Sequence, residues 1–594
     1  MKDLLIFDFE VFKHDTLLGV NIITDSGFER FQTWDLDKIR AFYQANRDSI
    51  WIGHNNSGYD NFILQTIIRG GNEEMVKTTS DKIIGGQRRL YLDIPLNYYD
   101  MGDNFIGLKT IECALGKNIS ESKVDFNLDR KLTNEERALT ESYNADDLDQ
   151  TTEEFLLRKG EFLLRLDVIN EFNLPISALH VTGTQLAEMV LHAEKIEGIE
   201  TWVVKPKMYD TLRLKNKDVI DFYLNEKFKT SEKLTIELCG VKHQLGAGGI
   251  HAAQKFCHED WAYYFDVSGY YNLIMILYDL LPRSIPEKYR AYYAEMYRHQ
   301  LELKKTDPSK RWTYKTILLS VFGAMTNPYC KFYDPYRGQL VTITGQLFLV
   351  DLLEKLEGKI KLIQSNTDGV FAKPLPGVSE DEMIAIIEEW KTRTGFELKL
   401  EKVYNIHQRD VNNYMYQDAK GEIHTLGEAI KHALYWDNVF ARQSYQSKEP
   451  IFVAVAIVEY FINHKLPEQT LSENQSTLRM FQYVCKKNSF DWLEYESTDK
   501  STGDITTTKL QNVNRAFALK SDTKKGMIYK RKVSGKTVKA KVSNLPDSVF
   551  VYNENILDEK TVKNLTSQID WQYYIDRAYE RILEFVEKRK FVKL

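Results

Sequence analysis

The stretch Trp261-Ala-Tyr-Tyr-Phe-Asp266-Val-Ser-Gly-Tyr-Tyr271-Asn272 decides how the rest of the chain is read. Its aromatic run is rich in strand-forming residues. Alternation puts Ala262, Tyr264 and Asp266 on one strand face and Trp261, Tyr263 and Phe265 on the other, so a single carboxylate reaches the end of a well-anchored strand. Ser268 and Gly269 then turn the chain beneath Tyr271. Taken alone, the segment also suits an ordinary strand-end turn, for which Asp-x-Ser-Gly is common.

A second acid gives Asp266 a partner. Ile360-Lys-Leu-Ile-Gln-Ser-Asn366-Thr-Asp368-Gly369-Val-Phe-Ala372 reads as two short apolar strands joined by a polar turn, with Asp368 at the hairpin tip. Two carboxylates on neighbouring strand ends suit shared divalent metals. Hard Mg²⁺ is held by one or two carboxylates plus substrate phosphates, and a metal pair clamps the attacking and leaving oxygens of an in-line displacement. That is phosphoryl-transfer chemistry.

At these residues the chain resembles the family B DNA polymerases. Asp266-x-x-x-x-Tyr271 resembles their motif A, Lys315-Thr-Ile-Leu-Leu-Ser320-Val-Phe322-Gly323 their motif B, and Asn366-Thr-Asp368 their Asp-Thr-Asp motif C, in the family's order. Gly269, Tyr270 and Asn272 stand where the family usually has Ser, Leu and Pro. Leu319 and Phe322 replace Asn and Tyr in motif B, and Asn366 replaces the first Asp of motif C. The resemblance implies that Asp266 and Asp368 are catalytic ligands of Mg²⁺ or Mn²⁺, two ions per active site, and that Tyr271 lies under the incoming sugar.

The N-terminal region carries another acidic constellation. Leu4 to Phe9 reads as a buried first strand delivering Asp8 and Glu10, two apart and on one face. Trp51-Ile-Gly-His-Asn55-Asn-Ser-Gly-Tyr59-Asp60 ends a short strand in a polar turn, with Asp60 placed to cap a following helix. In Tyr143-Asn-Ala-Asp-Asp147 the i, i+4 spacing puts phenol and carboxylate side by side on a helix, although each of Asp146, Asp147 and Asp149 singly suits a solvated acidic face. In this order the three segments resemble the Asp-x-Glu, Asn-x-x-x-Tyr-Asp and Tyr-x-x-x-Asp motifs of the proofreading 3′→5′ exonuclease. The resemblance implies that Asp8, Glu10, Asp60 and Asp147 hold two divalent metals, that Tyr143 orients the attacking water and that Asn55 contacts the primer end. Lys123-Val-Asp-Phe126 resembles a Lys-x-x-hydrophobic motif of the phage members, which implies that Lys123 assists the scissile phosphate. Leu108-Lys-Thr-Ile111 is placed along the same single-strand track.

Composition bounds the rest. A chain of 594 residues with 43% hydrophobic content folds around more than one core. The net charge of −6 places any nucleic-acid contact on local basic tracks rather than on the total. Cys113, Cys239, Cys257, Cys330 and Cys485 form no Cys-x-x-Cys pair, which argues against structural zinc or a disulfide framework. No segment reads as a signal peptide or a membrane span, so a reduced cytosol is expected, that of a bacterial host if the chain is phage-encoded.

Between motifs A and B, Ser284-Ile-Pro-Glu287 predicts a capping-box start to a helix reaching about Lys305, and a second helix follows Asp307-Pro308. Arg311, Lys315, Leu319 and Phe322 share one face of it. A core-facing stripe with two cations is the plainer reading. The resemblance instead implies Lys315 and Arg311 on the incoming triphosphate, Phe322 and Gly323 against the nascent pair, and Arg298 as a further phosphate contact. Gly246-Ala-Gly248-Gly249 stands where the family has Tyr-x-Gly-Gly, and offers backbone that a phosphate can approach closely. The spans from Tyr271 to Lys315 and from Gly323 to Asn366 are too short for the insertions of protein-primed phage relatives, which predicts an ordinary primer 3′ hydroxyl. Tyr414, in Asn412-Asn-Tyr414, stands at the family's Lys-x-Tyr primer contact.

Ser379 with Glu382 predicts a capping box for a helix to about Arg393, and Leu398 to Tyr404 a strand. Lys520 to Lys541 reads as a basic β-hairpin turning at Ser534-Gly535, suited to duplex DNA, and Trp571 to Val592 as a terminal helix.

The predicted chain is an α/β multidomain protein: a ribonuclease-H-like exonuclease domain (1–165), a helical connector (166–240), a right-hand polymerase with palm (241–283 and 326–430) and fingers (284–325), and a thumb with C-terminal region (431–594). The predicted function is DNA-directed synthesis on primer-template DNA from dNTPs, with 3′→5′ editing. The alternative is a DNA-binding exonuclease whose polymerase half does not synthesise. Joint retention of Asp266, Tyr271, Lys315, Gly323 and Asp368 weighs against it.

Overall fold

In the computed structural model, which describes residues 3–86, 90–102, 106–199, 205–224, 229–441, 443–534 and 536–587, two large sheets carry the two acidic constellations. The first sheet contains β1 (Leu4–Val11), β2 (Thr16–Thr24), β3 (Gly27–Thr33), β4 (Ile50–Gly53) and β5 (Asn97–Asp100), in the order β3-β2-β1-β4-β5. Central β1 runs antiparallel to β2 and parallel to β4. Its Leu5, Ile6 and Phe7 are all buried, the near-continuous apolar run of a strand covered on both faces. A long helix, Asn134–Glu171, opens with a capping box between Thr133 and Glu136 and packs against β1 and β2. It runs through residue 165 without a break.

The second sheet has nine strands, all antiparallel: β6 (Leu234–Leu238), β7 (Val241–Leu245), β8 (His251–Ala253), β9 (Cys257–Val267), β10 (Ile360–Asn366), β11 (Gly369–Pro374), β12 (Leu398–Asp410), β13 (Asn413–Gln417) and β14 (Ile423–Leu426). Their order is β14-β13-β12-β9-β11-β10-β8-β7-β6, so the strand bearing Asp266 lies between those following Asp368 and beginning at Leu398. The largest core fills in against this sheet, with helix Pro335–Leu356 almost wholly buried within it.

The predicted helix pair forms as Glu287–Thr306 and Pro308–Ala324. Its first cap differs from the sequence expectation. Pro286 sits at the N-cap with no side-chain bond, and the Ser284 hydroxyl is buried without a partner, because the proline ring rather than a hydroxyl fixes the entry of the chain. Asp307 caps the second helix through the Lys310 N–H, with Pro308 in the first turn. Ser379 caps its helix as predicted, but Glu382 turns to Lys359 and leaves the box open.

Seven further strands build two smaller sheets: β15 (Tyr483–Lys486), β16 (Trp492–Asp499), β17 (Ile505–Leu510), β18 (Val513–Ala518), β19 (Lys524–Ser534), β20 (Lys536–Lys541) and β21 (Val549–Val551), ordered β15-β18-β21 and β17-β16-β19-β20. The basic hairpin is β19 with β20, its Gly535 lying outside the described residues. Part of its charge is neutralised by its own sheet, Arg531 pairing with Glu494 and Lys539 with Glu496 on β16. The last described helix is Trp571–Leu583, and the end of the predicted segment lies outside the described residues. Among the described residues no helix is long and apolar enough to cross a membrane.

Candidate active sites

Asp266 is second from the end of β9, where it faces Gly369 of β11 on one side and Lys399 of β12 on the other. The turn before Gly369 is tight: Thr367 has φ of 56°, and the Asp368 N–H reaches back to Asn366 O at 2.6 Å. The Val267 N–H donates to Asp368 O at 2.9 Å, which locks the two acid-bearing segments together. Gly369 is required there, since a Cβ would lie 2.9 Å from the ring of Tyr264. Tyr264 in turn donates its hydroxyl to Asp266 Oδ1 at 3.2 Å. Burial, followed by the charge of Asp266, pushes the Asp368 carboxyl up to about 6. Burial raises Asp266 as well, against the Tyr264 hydrogen bond and the charges of Lys399 and Lys304.

Gly269 makes the next turn with φ of 62°, and a Cβ there would meet the Tyr297 ring at 2.9 Å. The three sequence motifs then converge. Tyr271 stacks on Phe322 with ring centroids 4.2 Å apart, and its hydroxyl bonds to Thr367. A cleft of about 320 Å³ opens beside Asp266, lined by Lys304, Arg311, Lys315, Leu319 and Lys399. Burial and the neighbouring charges of Arg311 and Lys304 pull the Lys315 ammonium down, as crowded cations do. Lys304 and Lys399 were not singled out by sequence. Arg298 points elsewhere: it is exposed, its Nε donates to Ala294 O in its own helix, and it does not line the cleft. Gly323 faces open space.

Asn366 has three side-chain partners. His251 on β8 bonds to it, Nδ1 to Oδ1 at 2.6 Å, the Thr367 hydroxyl donates to the same Oδ1 at 3.4 Å, and the Tyr414 hydroxyl bonds to it as well. The glycine-rich segment lies against the same loop, with the Thr367 N–H donating to Ile250 O at 2.9 Å. A Cβ on Gly249 would sit 2.9 Å from the Thr367 hydroxyl. Nothing in the sequence marks His251, which is 115 residues from its partner.

In the N-terminal sheet, Asp8 and Glu10 project from β1 toward Asp147 on the long helix, and carboxylate oxygens of the three lie within 4.8 Å of one another. Asn144 donates to Asp8 Oδ2 at 3.0 Å. It reaches that position because Gly19, the β2 partner of Asp8, has no side chain; a Cβ there would be 1.9 Å from Asn144 Oδ1. Burial, then Asp147, pushes Asp8 up to about 7, and burial with the neighbouring acids raises Glu10 well above the usual range. Asp60 is also buried and raised, by burial and then Asp8. It does not cap its helix. Tyr59 holds the N-cap without a side-chain bond, and Asp60 Oδ1 accepts the Phe9 N–H at 3.2 Å across the sheet. Tyr143 bonds to Asp147 as its spacing predicts.

The lysine among these acids is Lys109. Its ammonium contacts Asp147 and Glu112, and lies 4.9 Å from the centroid of the Tyr143 ring. Glu112 is buried, and its carboxyl is pushed up to about 7 by that burial. Lys123 is exposed and lines a neighbouring cavity that Tyr143 also borders. Asn55 is exposed at φ of 62°, and its N–H is held by Asp100.

In both places the donors are carboxylate oxygens, held close together and penalised when ionised without a counter-charge. Such a set fits a hard divalent cation, Mg²⁺ or Mn²⁺. Asp418, Glu422 and His424 also lie close together, on the β13–β14 hairpin, where Asp418 closes its own loop.

No family model matches the chain, and no curated protein matches it. Among solved structures, the family B DNA polymerase from the hyperthermophilic archaeon Pyrobaculum calidifontis aligns with all of this chain and 79% of its own, at 13% identity and a TM-score of 0.44. A likeness that slight carries no functional inference, so the function is read from the two sites themselves.

Proposed function

We propose that this protein is a DNA-directed DNA polymerase that extends a primer 3′ hydroxyl, with a 3′→5′ exonuclease in its N-terminal region. The observation that carries the reading is the meeting of Asp266 and Asp368 on locked neighbouring segments beside a cleft crowded with cations. Asp266 and Asp368 would hold divalent metals, which would supply charge neutralisation in the displacement. Lys315, Arg311 and Lys304 take the triphosphate, and the Tyr271–Phe322 stack forms a floor for the nascent pair. Tyr271 excludes a 2′ hydroxyl by bulk. In this reading the nine-stranded sheet is the palm, the helix pair 287–324 the fingers, and 431–594 the thumb with the C-terminal region.

The β3-β2-β1-β4-β5 order, with β1 and β2 antiparallel and β1, β4 and β5 parallel, supports a ribonuclease-H-like nuclease. Asp8, Glu10, Asp60 and Asp147 would hold its metals, Tyr143 orients water, and Asn55 meets the single strand. Lys109 stands among the acids, and Lys123, which shares a cavity with Tyr143, assists the scissile phosphate. Asn366, neutral and engaged by His251 and Tyr414, favours the rival in which the second half does not synthesise. Primer extension with dNTPs and Mg²⁺ tests the two: extension supports synthesis, whereas trimming without any extension supports the rival.

A further inference from the structure

A cavity of about 530 Å³ opens beside Tyr143, between the nuclease region and a segment more than four hundred residues later in the chain. Leu139, Ser142, Tyr143 and Asp146 line it from one face of the long helix, at spacings of three, four and seven residues. The opposite wall comes from the C-terminal region and includes Glu554, Asp558 and Thr561.

That wall is built firmly. The Ile119 N–H donates to Asn553 O at 2.7 Å and the Ile556 N–H to Gly116 O at 3.0 Å. Arg515, fully buried, donates to Cys113 O at 3.1 Å, Lys117 O at 2.8 Å and Glu554 O at 2.7 Å, tying both regions to one guanidinium. Buried donors satisfied this fully hold their surroundings in one arrangement. The cavity is therefore a fixed feature and lies within the range of small-molecule sites, about 300–1,000 Å³.

Its chemistry selects the occupant. Four acids border it, Glu121, Asp146, Glu554 and Asp558, against the single cation Lys123, so a phosphate is repelled everywhere except at that lysine. Leu139, 44% exposed, offers an apolar surface on which a flat ring can lie. Glu121 and Asp558 are engaged, with the Asn512 and Thr561 N–H groups respectively. Asp146 and Glu554 are exposed at the rim; Asp146 makes no hydrogen bond or ion pair among the described residues, and one Glu554 oxygen takes the Tyr552 hydroxyl while leaving the other. The result is a slot with an apolar side, hydrogen-bond acceptors at Asp146 and Glu554, and one phosphate-binding corner.

We propose that this cavity seats a nucleobase of the single-stranded 3′ end entering the nuclease site, and that Asp146 and Glu554 accept hydrogen bonds from its exocyclic amino group. The inference rests on the nuclease reading and extends it to base preference. Adenine, cytosine and guanine carry such an amino group and thymine does not.

The test is the trimming rate of single strands at limiting concentration by the full-length protein, with strands differing only in the last three bases. Strands ending in cytosine should be trimmed about threefold to fivefold faster than strands ending in thymine, the effect of one solvent-exposed hydrogen bond to a charged acceptor. Asp146→Ala should bring the two rates together, and Asp146→Asn, which keeps a carbonyl acceptor, should keep part of the difference. Thr561→Trp, which fills the cavity from the C-terminal side, should abolish the difference while the rate of extension stays unchanged. Equal rates in the wild type, or a preference that neither Asp146→Ala nor Thr561→Trp alters, overturns the proposal. A wild type that trims no strand at all overturns the nuclease reading itself and is told apart by that.

Discussion

The Asp368 carboxyl, raised to about 6 by burial and by Asp266, costs the metal-free protein stability once it ionises. An unfolded aspartate titrates near 4. Between about pH 4 and pH 6 the folded state therefore binds more protons than the unfolded one, and stability falls as pH rises through that window. Asp368→Asn removes the loss. In metal-free buffer the variant and wild type should differ little below pH 4, and the variant should be more stable at pH 7 by about 3 kcal/mol. Mg²⁺ should raise the wild-type Tm and barely move that of the variant; a variant no more stable than wild type at pH 7 contradicts the assignment. At Tyr271 the expectation concerns sugar choice. Its ring is fixed between Phe322 and Thr367, and packed rings tolerate little added volume. Tyr271→Val should raise ribonucleotide incorporation relative to deoxyribonucleotide with far less effect on dNTP use. Side-by-side rates with an unchanged ratio, in a folded and active variant, would remove Tyr271 from the site.

Individual elements set the geometry through small residues as much as through acids. Gly19→Ala places a Cβ where Asn144 now stands, and the helix carrying Tyr143 and Asp147 must shift to admit it. Overpacking of this kind costs about 1–3 kcal/mol. We expect trimming to slow strongly while extension is preserved, measured on the same preparation; unchanged trimming would show that the Asn144–Asp8 bond is dispensable. The acids themselves were legible because strand alternation and the i, i+4 spacing are local, so Asp8, Glu10, Asp147, Asp266 and Asp368 stand where the sequence puts them. Partners fixed by tertiary approach were not. Lys109 falls in the 108–111 segment placed along the single-strand track, but its pairing with Asp147 is fixed by tertiary approach, and Lys304 and Lys399 reach the cleft from separate elements. The Ser284 cap failed because a proline followed it too closely, and Asp60 left its helix end for a backbone donor on β1. In the C-terminal region, the basic hairpin was legible as chemistry, but that Glu494 and Glu496 neutralise part of it depends on which strand pairs beside it, which no local pattern states.

Across the whole molecule, Arg515 joins the nuclease region to the C-terminal region. It donates to carbonyls at Cys113 and Lys117 on one side and to Glu554 O and Gln482 Oε1 on the other. Arg515→Met leaves several buried acceptors unpaired and should cost about 3 kcal/mol or more. Hydrogen exchange should show residues 113–119 opening together with 553–556, and protection unchanged in both would mean that the clamp does not couple them. The two chemistries, in contrast, should separate cleanly, since Asp266 and Asp368 lie in the nine-stranded sheet and Asp8 and Glu10 in the five-stranded one. The most direct measurement is a time course with a labelled primer on its template, with Mg²⁺ and dNTPs, for the wild type, for Asp266→Ala and for the double variant Asp8→Ala with Glu10→Ala. The wild type is predicted to lengthen the primer, Asp266→Ala only to shorten it, and the double variant to lengthen it without shortening. Lengthening by Asp266→Ala at the wild-type rate, or none by the wild type, would contradict the account.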